Sequence, residues 1–170
     1  MMRKSTLFII LIFLIQALFS CVPSNRILNY KIEEAKLDRV IDGDTISVII
    51  GDKKERVRML EINCEESVKE MGKKVTSKGI AASDFTKQLL KDVEIVYLTK
   101  DKSNRDQYGR LLRLVWIDRP YDIYDEEELR NKCVNAALLL NGYAKVVKFD
   151  DEAYIEIFKK FEKEGRNGEQ

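Results

Sequence analysis

Short apolar runs alternate with polar turns along the middle of the chain, a pattern that predicts β-strands. The first two runs flank the polar turn Asp42-Gly43-Asp44, and a second turn at 51–54 precedes the third run. Two further runs follow after polar segments. We therefore predict strands at 37–41, 46–50, 56–62, 93–98 and 110–117, and a short strand at 143–149.

Three segments have apolar residues at helical spacing instead. The apolar positions are Ala82, Phe85, Leu89 and Leu90 in the first, 134–140 in the second, and Tyr154, Ile155, Phe158 and Phe161 in the third, which begins near Asp150. The second helix is followed by Asn141-Gly142, a pair typical of a helix C-terminus. Together these elements predict an α+β fold, an OB-fold-like five-stranded β-barrel with three α-helices.

The N-terminus has the pattern of an export signal. Arg3 and Lys4 precede an almost wholly apolar stretch at 5–20. Leu18-Phe19-Ser20-Cys21 resembles a bacterial lipobox, in which the cysteine carries the lipid. An uncleaved anchor and a plain secretory signal are the alternatives, and all three predict export. We expect a signal peptide at 1–20, then a tether at 21–36 that is anchored to a bacterial cell membrane through a lipid on Cys21.

The remaining residues divide into a domain at 37–164 and a frayed tail at 165–170. Within the domain, the polar segment 65–78 predicts a mobile surface loop. The acidic segment 119–132 predicts a surface insertion that tunes substrate access, binds a partner or is an inert loop, the last of which we favour. Cys64 and Cys133 form a disulfide or are two unrelated free thiols, since an exported protein permits either.

Composition narrows the chemistry that this domain can perform. The chain has 170 residues and a formal net charge of only +1, so a positive field for a phosphate ligand must be local. It contains no histidine, which excludes every mechanism with an imidazole base, nucleophile or metal ligand. Its three cysteines are too few for a structural zinc site made of cysteine alone. Carboxylates, arginines, lysines, tyrosines and a hard cation remain.

Four local groups of residues are candidates for such chemistry. The first is Asp42-Gly43-Asp44-Thr45 between two strands, and the second is Arg58 on an otherwise apolar strand, with 63–66 after it. The third is 105–110, which leads into the predicted strand 110–117, and the fourth is Lys73, Lys74 and Lys78 in the polar loop. Each has a structural alternative, namely a hairpin turn, a solvent-facing arginine, a polar loop or solvated lysines. Asp44 is the carboxylate that could bind a hard cation such as Ca²⁺.

Taken together, these groups resemble the staphylococcal nuclease (thermonuclease) family in order and spacing. The likeness continues at 82–87, 134–138 and 142–146, and it covers roughly 37–161. It implies an OB-fold that hydrolyses DNA and RNA with Ca²⁺.

Residue roles follow from this resemblance. It implies that Asp44, Asn63 and the backbone carbonyl of Cys64 bind the metal, that Glu66 is the general base, that Arg58 and Arg110 hold the scissile phosphate, and that Tyr108 contacts the nucleotide. Apart from the resemblance, Lys73 and Lys74 of the polar loop are candidates for contact with substrate phosphate as point charges. We expect a monomer.

The chain departs from the family pattern at three positions. It has Asn63 where many members have Asp, and Glu65 where they usually have Pro, so either Glu65 or Glu66 is the candidate base. It has Lys148 where the best-known member has a base-stacking tyrosine. A catalytically weak or inactive OB-fold module that binds nucleic acid or protein at the cell surface is therefore the alternative function.

Overall fold

The predicted apolar runs fold into a closed five-stranded barrel with strand order β1-β2-β3-β6-β5. The fold is taken from a computed structural model, which describes residues 30–67, 74–100, 102–149 and 153–168. The strands are β1 (Ile32–Asp42), β2 (Thr45–Ile50), β3 (Lys53–Met59), β4 (Ile62–Cys64), β5 (Ile95–Thr99), β6 (Leu111–Trp116) and β7 (Ala144–Val146). β3 and β6 pair in parallel, the other barrel strands pair antiparallel, and β4 and β7 form a separate two-stranded sheet. The predicted OB-fold-like barrel is confirmed.

Two differences from the predicted strands change how the chain is connected. β1 begins at Ile32 rather than at 37, because 32–36 pair with β5 and Ala35 is buried in the barrel, so this part of the expected tether belongs to the fold. The predicted strand 56–62 is interrupted after β3 because Glu61 has a φ of 60°. The chain turns there and starts the short strand β4.

The described residues contain four helices rather than the predicted three. They are α1 (Ser77–Leu89), α2 (Glu126–Lys132), α3 (Val134–Leu140) and α4 (Ile155–Gly168). The additional helix, α2, lies in the acidic segment that we expected to be an inert loop. Its N-cap Asp125 accepts a hydrogen bond from Glu128 N at 2.9 Å, and its buried Leu129 joins the core. The acidic residues occupy its first turn, where they stabilise the helix dipole.

Residues 165–168 are helical rather than frayed, because α4 packs closely on the end of α3. A Cβ added to Gly165 would lie 2.1 Å from the carbonyl oxygen of Leu139, so only glycine permits this approach. Arg130 of α2 also donates to Glu164 of α4 at 2.8 Å. The C-terminal helix is thus fixed to the body of the domain.

The hydrophobic core fills the barrel and continues under α3 and α4, where Trp116, Phe158 and Phe161 are fully buried. The buried Asn135 of α3 joins the two parts. Its Nδ2 donates to Leu60 O at 2.8 Å, and its Oδ1 accepts from Val115 N at 3.0 Å. The helical layer is therefore hydrogen-bonded to the strands that carry the site.

Both described cysteines are buried free thiols, which decides between the two alternatives of the sequence analysis. Burial raises the pKa of Cys133 to about 12 and also raises the pKa of Cys64, so neither forms a thiolate at neutral pH. The predicted signal peptide and Cys21 lie outside the described residues. In the part of the chain that is described, no helix is both long and apolar enough to cross a membrane.

Candidate active site

Four segments meet at one end of the barrel and enclose a cleft of about 180 Å³. They are the β1–β2 hairpin, the chain from β3 to Glu66, the residue before β6, and the irregular backbone after β7. The lining residues are Ile41, Asp42, Asp44, Thr45, Arg56, Arg58, Asn63, Glu66, Arg110 and Phe149. The structure thus brings together five of the side chains predicted from sequence: Asp44, Arg58, Asn63, Glu66 and Arg110.

Close packing holds the hairpin in place. A Cβ on Gly43 would lie 2.9 Å from the Cβ of Ala82 and 3.0 Å from that of Cys64, so the glycine lets α1 and β4 approach. Thr86 Oγ1 of α1 donates to Gly43 O at 2.8 Å. Asp44 and its neighbours are therefore part of a rigid element rather than of a free turn.

Asp44 is a buried carboxylate with several donors. Its Oδ2 accepts from Cys64 N at 2.8 Å and lies 3.1 Å from Arg58 Nη2, while its Oδ1 accepts from Thr45 Oγ1 at 3.1 Å. These bonds fix the orientation of the Asp44 side chain, and only 6% of the residue is exposed. Asp44 therefore fixes the position of Arg58 from the adjacent strand.

Arg58 is a buried cation, with only 6% of its surface exposed. Its Nη1 donates to Met59 O at 2.6 Å, its Nη2 donates to Asn63 Oδ1 at 3.0 Å, and its guanidinium lies 5.5 Å from the ring centroid of Phe149. Burial lowers the pKa of Arg58, Asp44 opposes that shift, and the positive charge of Arg110 adds to it. The guanidinium keeps its charge, so this part of the cleft favours an anionic ligand.

The second arginine, Arg110, is held by Asp106. Its Nε donates to Asp106 Oδ2 at 2.7 Å, and Asp106 Oδ1 accepts from the backbone N–H groups of Tyr108 and Arg110, both at 2.9 Å. Burial alone would raise the pKa of Asp106, but the hydrogen bonds from Arg110 and Tyr108 outweigh it and lower the pKa. The Arg110 guanidinium lies 5.5 Å from the ring centroid of Tyr108, which is exposed and is not among the residues that line the cleft.

The two adjacent glutamates after β4 line different cavities. Glu66 is partly buried and lines the cleft, and its carbonyl accepts from Thr76 N at 3.1 Å. Glu65 is exposed and lines a neighbouring cavity. Lys74 is exposed and is not among the residues that line the cleft, and Lys73 lies outside the described residues.

Comparison with protein families identifies the family to which this fold belongs. The model of the family described as staphylococcal nuclease homologue matches residues 56–169, which is more than half of the chain. The chain belongs to the staphylococcal nuclease family. The family match includes Arg58, Glu66 and Arg110.

Relatives within this family agree. The thermonuclease of Staphylococcus hyicus is 38% identical over 108 residues, which cover 64% of this chain and 62% of that protein. The endonuclease YncB of Bacillus subtilis (strain 168) is 34% identical over 139 residues, which cover 81% of this chain and 60% of that protein. The SPbeta prophage-derived endonuclease YokF of the same organism is 33% identical over 136 residues, or 79% of this chain and 42% of that protein. The chain thus spans less than two thirds of the length of each relative.

The expected metal ligands of the family are hydrogen-bonded to protein groups here. Asn63 Oδ1 accepts from Arg58, and the carbonyl of Cys64 accepts from Asn63 Nδ2 at 3.1 Å. No group of three or more His, Cys, Asp or Glu side chains in the described part of the chain is arranged to hold a metal ion. The donor types nevertheless suit Ca²⁺, because the carboxylates of Asp42 and Asp44 and the amide of Asn63 all offer hard oxygen ligands.

The sequence analysis gave no individual role to five of the residues that line this cleft, although two of them, Asp42 and Thr45, belong to one of its candidate groups; the five are Ile41, Asp42, Thr45, Arg56 and Phe149. Asp42 accepts from Gly43 N at 2.7 Å and from Ser67 Oγ at 2.6 Å, which ties the hairpin to the segment of Glu66. Arg56 lies two positions before Arg58, and the alternation of side chains along a strand would have placed both on the same face. Phe149 follows Lys148 after β7 ends, in irregular backbone, and no sequence pattern indicated that it would line the cleft.

Proposed function

We propose that this protein is a phosphodiester hydrolase that cleaves DNA and RNA. The observation that carries this proposal is the single cleft lined by Arg58, Arg110 and Glu66 in a chain of the staphylococcal nuclease family. Two cations beside one carboxylate suit an anionic substrate that water attacks. The names of the thermonuclease and the two endonucleases to which the chain is similar support the same activity.

The two arginines bind and activate the phosphate. A phosphodiester is anionic, and its transition state concentrates charge on the equatorial oxygens. A guanidinium offers a planar fork to such oxygens, and removal of one such donor from an active site typically lowers kcat by about 10²–10³-fold. Arg58 is fixed by Asp44 and Arg110 by Asp106, so both forks are oriented before the substrate arrives.

Glu66 is the general base that accepts a proton from the attacking water. It is the carboxylate of the Glu65-Glu66 pair that lines the cleft with both arginines. A positioned base contributes about 10²–10⁴-fold. With no histidine in the chain, this carboxylate is the natural candidate for the base.

We also propose that Ca²⁺ binds in the cleft through Asp42, Asp44 and Asn63. The bound ion would supply positive charge that stabilises the transition state of phosphate transfer. Because Asn63 is neutral, we expect weak affinity, in the range of extracellular calcium sites. Added Ca²⁺ should raise the Tm of the wild-type protein but not that of Asp44→Asn, and an equal shift in both proteins would contradict this site.

A second candidate function is a nucleic-acid-binding module with little or no catalytic activity. The observation that favours it is the hydrogen bonding of Asn63 Oδ1 and the Cys64 carbonyl, which occupies two of the expected metal ligands. This function predicts binding of single-stranded nucleic acid without hydrolysis.

The deciding experiment is a cleavage assay on denatured DNA and on RNA, with Ca²⁺ or with a chelator. Glu66→Gln should reduce cleavage by about 10²–10⁴-fold, whereas the adjacent Glu65→Gln serves as the matched control and should retain most activity. Absence of cleavage above the Glu66→Gln background, together with retained binding, would support the binding module instead.

We further propose that the protein is exported as a monomer and anchored to the cell membrane by a lipid on Cys21. The support is the charged and apolar pattern of 1–20. In cells that express the full chain, the wild-type protein should fractionate with membranes. The Cys21→Ser variant should instead be released from the membrane or should keep an uncleaved leader. Identical fractionation and mass of the two proteins would rule out lipidation.

A further inference from the structure

A second cavity, of about 310 Å³, opens on the barrel and shares none of its lining residues with the cleft among the described residues. Its apolar part is formed by Ile50, Leu98 and Leu111. The charged residues around it are five cations, Lys31, Lys53, Lys100, Arg105 and Arg113, and two carboxylates, Glu33 and Glu55. The cavity is therefore strongly positive although the whole chain is almost neutral.

Arg113 is a buried cation in this cavity, with 5% of its surface exposed. Its Nη1 donates to Leu112 O at 2.8 Å, and its Nη2 donates to Asn104 Oδ1 at 2.9 Å. The carboxylate that faces it, Glu33, lies 3.8 Å from Nη2, which is longer than a hydrogen bond. Burial lowers the pKa of Arg113, and the carboxylate of Glu33 opposes that shift.

The other carboxylate of the cavity is already neutralised. Arg105 donates to both oxygens of Glu55, at 2.8 and 2.9 Å, and this bond lowers the pKa of Glu55. Within the described residues, no ion pair is recorded for Lys31, Lys53 or Lys100. The positive charge of the cavity is thus available to a ligand.

Two segments connect the cavity with the cleft. β3 carries Arg58 and Arg56 in the cleft and Lys53 in the cavity, a separation of ~17 Å along the strand. The loop before β6 carries Arg105 at the cavity and Arg110 at the cleft, and Arg105 Nη1 donates to Gly109 O at 2.6 Å. A ligand that follows these segments would meet cations at both ends, and the carboxylates between them, Glu55 and Asp106, are already paired with Arg105 and Arg110.

We propose that this cavity is a second phosphate-binding site, which holds the single strand of a substrate several nucleotides away from the phosphate in the cleft. The proposal rests on the proposed function. OB-folds bind about 4–16 nucleotides of single strand, tracked by a positively charged groove. The apolar wall beside the lysines suits the nucleoside part of the same strand.

The test is binding of single-stranded DNA to the full chain in the presence of a chelator. The cavity variant is Lys53→Glu with Lys100→Glu, and the control is Lys36→Glu with Lys91→Glu, two exposed lysines that line neither the cavity nor the cleft. Both variants reverse two charges, so a general loss of net charge affects them equally. Circular dichroism melts should verify that both remain folded.

We expect the cavity variant to bind a ~12-nucleotide strand at least ~10-fold more weakly than the control, and to bind a ~4-nucleotide strand equally well. The logarithm of its binding constant should also fall less steeply with the logarithm of the salt concentration. The slope should be shallower by about 0.7 for each lost phosphate contact. Equal affinities of the two variants for the longer strand would overturn the proposal. Failure of the wild type to cleave nucleic acid would instead overturn the proposed function and leave the binding result intact.

Discussion

Two arginines in different regions of the molecule have opposite electrostatic environments. Arg58 in the cleft is buried, and its pKa is lowered by burial, against the attraction of Asp44. Arg130 on the surface between α2 and α4 has 29% of its side chain exposed, and its pKa is raised by the hydrogen bonds that it donates to Glu164 and Glu126. Arg130 Nη1 lies 2.8 Å from Glu164 and its Nη2 lies 2.7 Å from Glu126.

The difference distinguishes charges that are neutralised within the fold from charges that a bound ligand would neutralise. On the helical surface Arg130 lies between Glu126 and Glu164, and Glu126 also faces Lys160, so opposite charges are paired. In the cleft Arg58 and Arg110 repel each other, which contributes to the lowered pKa of Arg58. An anion that enters between them would remove that repulsion, so the same chemistry that destabilises the empty cleft favours phosphate binding.

Removal of Arg58 should have the largest effect, because both stability and activity depend on it. Arg58→Ala leaves the carboxylate of Asp44 buried without its cation, a change that typically costs about 3–5 kcal/mol. We expect a Tm lower by roughly 10 °C and a loss of at least ~10²-fold in kcat. Thermal melts and cleavage rates measure the two effects separately.

The conservative variant Arg58→Lys distinguishes charge from shape. It should retain more of the stability, since a cation still faces Asp44, but it should not restore activity, because lysine lacks the planar fork. An unchanged Tm of Arg58→Ala would mean that the buried pair with Asp44 is not important for the fold.

Arg110→Ala should lower activity with little loss of stability, since this arginine is only partly buried. We expect kcat to fall by about 10²–10³-fold, with a loss of stability of about 1 kcal/mol or less. Cleavage rates and urea unfolding provide the measurements. A destabilisation as large as that of Arg58→Ala would show that the role of Arg110 is structural.

The sequence predicted the barrel because alternation and turn residues are local properties. The pairs of strands flanking Asp42-Gly43-Asp44 and the turn after Ile50 follow directly from them. The break at Glu61 and the extra residues of β1 did not follow, because both depend on pairing with distant segments. Helix α2 was not predicted because Leu129 is its single buried residue, and the acidic residues before it show no apolar periodicity.

A residue of the candidate site could be predicted where its type is unusual for its position in the sequence. Arg58 stood out as a charge on an apolar strand, and its burial next to Asp44 agrees with that expectation. Phe149 did not stand out, since an aromatic residue after a short strand has many possible environments. The second, positive cavity was also not predicted, because Lys53, Lys100 and Arg113 come together only when β3, β5 and β6 close the barrel.

Lowered pH should weaken the loop that holds Arg110. The pKa of Asp106 is lower in the folded protein than its ordinary value of 3.8, so its contribution to stability is fully present above about pH 4. The contribution is lost as the pH falls through the folded pKa. The difference in Tm between the wild type and Asp106→Asn should therefore be constant near neutral pH and disappear in acid, and a difference that grows in acid would contradict the assignment.

The smallest effect should come from Arg130 on the helical surface. Although it contacts two carboxylates and the ring of Phe161, its ion pairs are solvent-exposed, and such pairs typically contribute about 1 kcal/mol or less. Arg130→Met keeps much of the packing and should lower the Tm only slightly at low salt, with a smaller difference at high salt because the ion pairs are screened. Nuclease activity should be unchanged. Since Arg130 has more carboxylate partners than Arg58, a larger loss of stability in Arg130→Met than in Arg58→Ala would mean that the number of partners, and not burial, determines how much a charged side chain contributes to this fold.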